Sequence, residues 1–224
     1  MEIVPGIHQI DGVTGNSYII TRDGVILIDT GLPRSSKKIL NYIQDTLKHG
    51  PSELSTIILT HHHIDHTGNV YELKNLSGAK VAVHEADADF VAGREKTPAP
   101  KGMFGILYKF PGVFFRPKLA EPDIRLKNGD TIAGLTVIHT PGHTPGSICL
   151  LDPVSKVLFA GDLLKYDGER ITGPPPRFTP AMDEAARSIR MIAMLDFDIL
   201  LTGHGIPLTS KAAEKVRAFA KTLS

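Results

Sequence analysis

The sequence predicts a mixed α/β (α+β) protein in which two β-sheets are faced with helices. Three observations lead there. Short β-branched and apolar runs recur along the 224 residues and stop at Gly, Asp or Pro turn signals. Between several of these runs, apolar residues return at three- and four-residue spacing, the period of a helix packed on one side. Strand-rich and helix-containing stretches occur in both halves, with no repeat at a fixed period. The chain is 42% hydrophobic, enough for a sizeable core, and its length suits one domain over residues 1–224.

Ser17-Tyr18-Ile19-Ile20 and Val25-Ile26-Leu27-Ile28 read as strands joined by a turn at Arg22-Asp23-Gly24, the second ending at Asp29. Ser35 is placed to cap a helix reaching about Lys48, with Ile39, Ile43 and Leu47 on one face. Thr56 to Leu59 is a buried strand, and Val70, Leu73 and Leu76 mark the next helix. Lys80 to Val83 is a strand ending at His84-Glu85, followed by a helix to about Gly93. Residues 94–122 form an aromatic, Pro-rich insertion (Phe104, Tyr108, Phe110, Phe114, Phe115) near the active site, expected as a satellite hydrophobic cluster or homodimer contact, or as a lid that shapes a substrate pocket. Strands return at Ile124–Leu126, Thr136–Ile138, Ile148–Leu151, Val157–Phe159 and Asp198–Leu201. Thr179-Pro180 is expected to open one helix and Ser210 to cap another.

Charge and composition exclude several classes of function. A formal net charge of +1 without a long basic run argues against nucleic-acid binding. No apolar run approaches membrane-spanning length or resembles a signal peptide, so the expectation is a cytoplasmic protein that acts on a small molecule. The single Cys149 lies in an apolar stretch and reads as a small buried hydrophobe.

The chemistry concentrates in Thr60-His61-His62-His63-Ile64-Asp65-His66, directly after a buried strand. Imidazole and carboxylate are ligands of zinc and other divalent first-row ions. In an extended segment His61, His63 and Asp65 share one face while His62 points away, and His66 falls near a helix start. Packed together without a metal, these groups would be hard to satisfy. Three later positions repeat the design of a strand followed by a ligand: His143 in Thr140–Gly146, Asp162 after Ala160-Gly161, and His204 in Thr202–Gly205.

His61-x-His63-x-Asp65-His66 with His143, Asp162 and His204 resembles the metallo-β-lactamase-fold hydrolase superfamily, in its lactonase and glyoxalase II-like branch. That resemblance spans Asp29 to His204 and implies a four-layer αββα sandwich. It implies two divalent ions, zinc first, with iron or manganese as alternatives. His61, His63 and His143 would hold one ion, Asp65, His66 and His204 the other, with Asp162 bridging. Asp29 resembles the carboxylate that orients ligand imidazoles.

Paired ions lower the pKa of water towards about 7 and would supply a bridging hydroxide to cleave a lactone, ester or thioester carbonyl. Asp65, Asp162 and Tyr166 are the candidate catalytic residues. Tyr166, four positions after Asp162, resembles a lactonase tyrosine, with Lys165 beside it, and it tilts the expectation to lactone or ester over thioester. Asp162 makes β-lactam hydrolysis a promiscuous activity at most, since true β-lactamases of the superfamily generally lack the bridging aspartate. An alternative is an iron persulfide dioxygenase using His61, His143 and Asp162. A non-catalytic binding protein on the same fold is the third class.

Overall fold

The computed structural model describes residues 1–22, 24–98 and 118–223. The aromatic cluster at 104–115 therefore lies outside the described residues.

Among the described residues the first sheet has seven strands in chain order: β1 (Glu2–Val4), β2 (Ile7–Gln9), β3 (Tyr18–Ile20), β4 (Val25–Ile28), β5 (Leu54–Ile58), β6 (Lys80–His84) and β7 (Ile124–Leu126). β1 to β4 pair antiparallel and β4 to β7 parallel. The crossovers between parallel strands carry α1 (Ser36–Asn41), continued by a wider helical turn at Tyr42–Thr46, then α2 (Ile64–Thr67), α3 (Val70–Ser77) and α4 (Ala88–Val91). The second sheet contains β8 (Thr131–Ile132), β9 (Leu135–His139), β10 (Ile148–Asp152) and β11 (Val157–Gly161). β12 (Lys165–Tyr166) and β13 (Ile171–Thr172) form a separate ribbon. After α5 (Met182–Ile192) the chain adds β14 (Ile199–Thr202), parallel to β11 at the sheet edge, and α6 (Ala212–Ala220).

The inner strands are apolar on both faces because each face meets a different layer. Val25 and Leu27 pack under Ile39, Ile43 and Leu73 of the helices, whereas Ile26 and Ile28 face the other sheet. In the second sheet Val157 and Phe159 face inwards, while Leu158 and Ala160 meet Ala185, Ile189 and Val216 of α5 and α6. Burying each aliphatic side chain contributes about 1.5–3 kcal/mol, so neither face tolerates a polar alternation. The layers are therefore helix, sheet, sheet, helix, the sandwich that the sequence resemblance implies.

Helix starts differ from the sequence expectation. Ser35 makes no side-chain cap. Asn69 Oδ1 instead accepts from Ser35 N and Ser36 N at 2.8 and 3.0 Å, so the cap comes from a distant loop. α5 begins at Met182, after Pro180, and α6 begins beyond Lys211, whose left-handed backbone (φ 53°) turns the chain into it. The β1–β2 hairpin and the β12–β13 ribbon were not expected, because strands of two or three residues are too short to show a period.

Strand direction places the functional loops. β4, β5 and β6 run parallel, so Asp29, the histidine loop and His84 leave at one edge. β9 and β11 both pair antiparallel with β10, and β14 runs parallel to β11, so the loops carrying His143, Asp162 and His204 share an edge of the second sheet. The two edges are stitched together: Thr60 O accepts from Ile148 N (2.9 Å), and Thr202 O accepts from Tyr18 Oη (2.7 Å) and Asn16 Nδ2 (2.8 Å).

At the opposite edge, Arg22 pairs with the buried carboxylate of Asp152, which also accepts from Val154 N and Ser155 N. Burial pushes the Asp152 pKa up, and these hydrogen bonds outweigh it and hold the group below its usual value. A depressed folded-state pKa gives stability that is present above the unfolded value of about 4 and lost as pH falls through the folded one. Asp152→Asn should cost about 1–3 kcal/mol at neutral pH, since Arg22 stays partly hydrated. The gap in urea midpoint between variant and parent should narrow in acid; a gap that does not change with pH would show that the ion pair is not its origin.

Candidate metal centre

After β5 the chain bends at Thr60–His62, is extended at His63 (φ −65°, ψ 150°) and then turns into α2, so Asp65 and His66 both ride on its first turn. Asp65 thus departs from the extended face expected for it. The seven candidate ligands fall into three overlapping groups, each with its ligand atoms within 4.8 Å of one another: His61, His63 and His143; His61, His66 and Asp162; and Asp65, His66 and His204. Asp162 lies between the outer two groups. Its Oδ1 is 3.2 Å from His66 Nε2, and its Oδ2 is 3.4 Å from His204 Nε2 and 3.5 Å from His143 Nε2. Asp65 Oδ2 is 3.1 Å from His204 Nε2. Gly203 leaves the space for this approach, because a Cβ there would collide with Asp162 Oδ1.

The outer hydrogen bonds fix which imidazole nitrogen is free. Asp29, buried beyond β4, accepts from His66 Nδ1 (2.8 Å), Thr60 N (2.8 Å) and Thr60 Oγ1 (2.7 Å). Thr60 has then spent its proton, so its Oγ1 accepts from His61 Nδ1 (3.1 Å). Thr179 Oγ1 likewise donates to Pro175 O (2.9 Å) and accepts from His143 Nδ1 (3.1 Å). In all three rings Nδ1 carries a proton and Nε2 points inwards. His61 Nε2, His66 Nε2, His143 Nε2 and Asp162 Oδ1 are buried and have no hydrogen-bond partner among the described residues. Buried atoms of this kind normally find one. These four belong to two groups that share His61, and together they form a donor set suited to divalent cations.

Protonation follows the surroundings. Burial, helped by neighbouring imidazoles, drives His61 well below its usual value, lowers His143, and takes His63 to about 3. Burial opposes the charge on His66, but Asp162 and Asp29 prevail and raise it. Hydrogen bonds to Asp162 and Asp65 raise His204 to about 9. Burial works against ionisation of both carboxylates. It is outweighed at Asp65, held at about 2 beside His204 and His66, and at Asp162, held well below the usual range chiefly by His66 and His204.

The centre forms the floor of a cavity of about 570 Å³ whose walls are mainly apolar, including Ile64, Phe90, Pro145, Phe178 and Pro180, with Arg177 and Glu184 as charged members. Thr97 and Pro98, at the start of the 94–122 segment, also line it. The described ends of that segment are tied by Arg94, which grips Glu121 (2.7 and 3.1 Å) and Asp89.

Tyr166 does not face this cavity. Its hydroxyl donates to Gly168 O (2.6 Å), and its ring packs in the core between the second sheet and α6, beneath Lys215. Its carbonyl accepts from Ile206 N (2.9 Å) and so steadies the loop after His204, whereas the sequence had offered its hydroxyl to the substrate. Lys165 and Arg170 are exposed. His84 and His139 stack on each other (4.0 Å, 12°) and are not among the ligand groups.

Several residues escaped the sequence reading. His62 stacks on Phe90 (4.2 Å, 11°) and lines the cavity. Thr179, expected only to open a helix, serves His143. Asp87, fully buried, accepts from His62 N, Thr144 Oγ1 and Gly146 N. No spacing rule singles these out, since each acts on a loop distant in sequence.

Known proteins carry the same framework. The chain is 34% identical to a probable metallo-hydrolase, YflN, of Bacillus subtilis, over 94% of this chain and 88% of that one. It is 30% identical to the human acyl-coenzyme A thioesterase MBLAC2, over 80% of this chain and 68% of that one. The solved structure of BJP-1, a subclass B3 metallo-β-lactamase of Bradyrhizobium japonicum, superposes with a TM-score of 0.74 at 24% identity, covering 100% of this chain and 89% of that one. The family model for the metallo-beta-lactamase superfamily matches residues 10–204, and the chain belongs to that superfamily.

Proposed function

We propose that this protein is a dinuclear metal-dependent hydrolase of acyl thioesters. The observation that carries the reading is the convergence of four buried, unpartnered ligand atoms at the floor of an apolar cavity. His61, His63 and His143 would hold one divalent ion, Asp65, His66 and His204 the second, and Asp162 would touch both; zinc suits this nitrogen and oxygen set. Bound there, such ions would supply hydroxide at neutral pH and polarise the scissile carbonyl.

The chain's own groups do the rest. Asp29, Thr60 and Thr179 keep the Nε2 lone pairs directed inwards. Asp65 lines the cavity and stays ionised, so it can orient the attacking water by accepting its hydrogen bond. Phe90, Phe178 and Pro180 take an apolar acyl group and exclude bulk water from the reacting carbonyl. The sequence favoured lactones on the strength of Tyr166. That support falls away with its hydroxyl turned onto Gly168, while a relative of 30% identity bears the name of a thioesterase.

Metal content, substrate preference, chelation and one variant test this. The zinc-loaded protein should contain two ions per chain and hydrolyse acyl-coenzyme A thioesters faster than acyl-homoserine lactones or β-lactams. Chelation should cut the rate by at least about 100-fold, with zinc restoring it. One iron per chain with oxygen uptake on a persulfide would favour the oxygenase instead. Phe90→Ala should raise KM for a thioester with a long acyl chain by about tenfold and leave an acetyl thioester nearly unchanged, since a buried aromatic contact is worth about 1.5–3 kcal/mol. Equal effects on both substrates would place the acyl group elsewhere.

A further inference from the structure

Asp87 lies outside the ligand set, yet its carboxylate touches both loops that carry the His61, His63 and His143 group. It sits in the turn between β6 and α4 and is fully buried. Its Oδ1 accepts from Gly146 N at 2.7 Å. Its Oδ2 accepts from His62 N at 2.9 Å and Thr144 Oγ1 at 2.7 Å, and lies 2.9 Å from His62 Nδ1. His62 separates His61 from His63, and Thr144 follows His143, so the gripped residues adjoin every imidazole of that group. The two loops come from different sheets, one from β5 and the other from β9. The fit is close: a Cβ on Gly146 would fall 2.6 Å from Asp87 N and 2.7 Å from its Cβ and Cγ.

We propose that Asp87 is a positioning residue that sets the spacing of His61, His63 and His143 by clamping the backbone of their two loops. It is the counterpart of Asp29, which holds His66 directly and His61 through Thr60. A carboxylate suits the task because it only accepts, and Gly146 N, His62 N and Thr144 Oγ1 all donate to it. An amide in its place would turn N–H towards one of those donors. The inference rests on the metal reading above.

The test is zinc binding by the intact protein, read by competition with a chromogenic chelator, with circular dichroism as the fold check. Asp87→Asn should weaken one of the two zinc equivalents by about 10–100-fold, as removal of a ligand's support does elsewhere, and leave the other nearly unchanged. Thr144→Val, which removes a single donor, should shift the same equivalent in the same direction by less, and Thr144→Ser should restore it. Should Asp87→Asn fail to fold, the Thr144 pair decides. Folded variants that keep both parental affinities, or lose both equally, would overturn the clamp. A parent protein that binds no zinc would overturn the metal reading, and the clamp with it.

Discussion

The rest of the structure depends on the cost of burying a polar atom without a partner. A nitrogen or carboxylate oxygen taken from water and left unpaired costs about 1–3 kcal/mol, more when charged. Here three imidazole nitrogens and one carboxylate oxygen are buried in that condition within a few ångströms. The Nδ1 side of each imidazole is spent outwards, on Asp29, Thr60 and Thr179, which is why the Nε2 atoms face one another. The arrangement is costly for a folded chain alone and favourable around a divalent cation.

The sandwich is what makes such a concentration feasible. Apolar side chains on both faces of the inner strands lock two sheets together, and strand direction gathers their loops at one edge. Hydrogen bonds from Asn16, Tyr18 and Ile148 then cross between the sheets beside the ligands. The ligand loops are held by buried carboxylates, Asp29 on one side and Asp87 on the other.

The cavity above this floor divides the labour differently. Its walls are mainly aromatic rings, prolines and aliphatic side chains, so they suit an apolar group chiefly by excluding water. The polar groups lie beneath them and at the charged members Arg177 and Glu184. The same fold is found in proteins named for β-lactam and for thioester chemistry, so the fold alone does not set the substrate.

The sequence by itself determined the layers and named the candidate ligands that the fold brings together. A two-residue period filled on both faces reports a strand buried from both sides, and His and Asp placed just past strand ends mark candidate ligands, because both signals are local. It also misassigned what is not local. Ser35 resembles a cap by position, but Asn69 makes the cap; Tyr166 resembles a catalytic group by its distance from Asp162, but a two-residue ribbon turns its hydroxyl onto Gly168. Thr179, His62, Phe90 and Asp87 gain their roles only once separate loops close on one another. Imidazole tautomers, cavity walls and the grip of a carboxylate on two loops are properties of three-dimensional closure, which no spacing along the chain encodes.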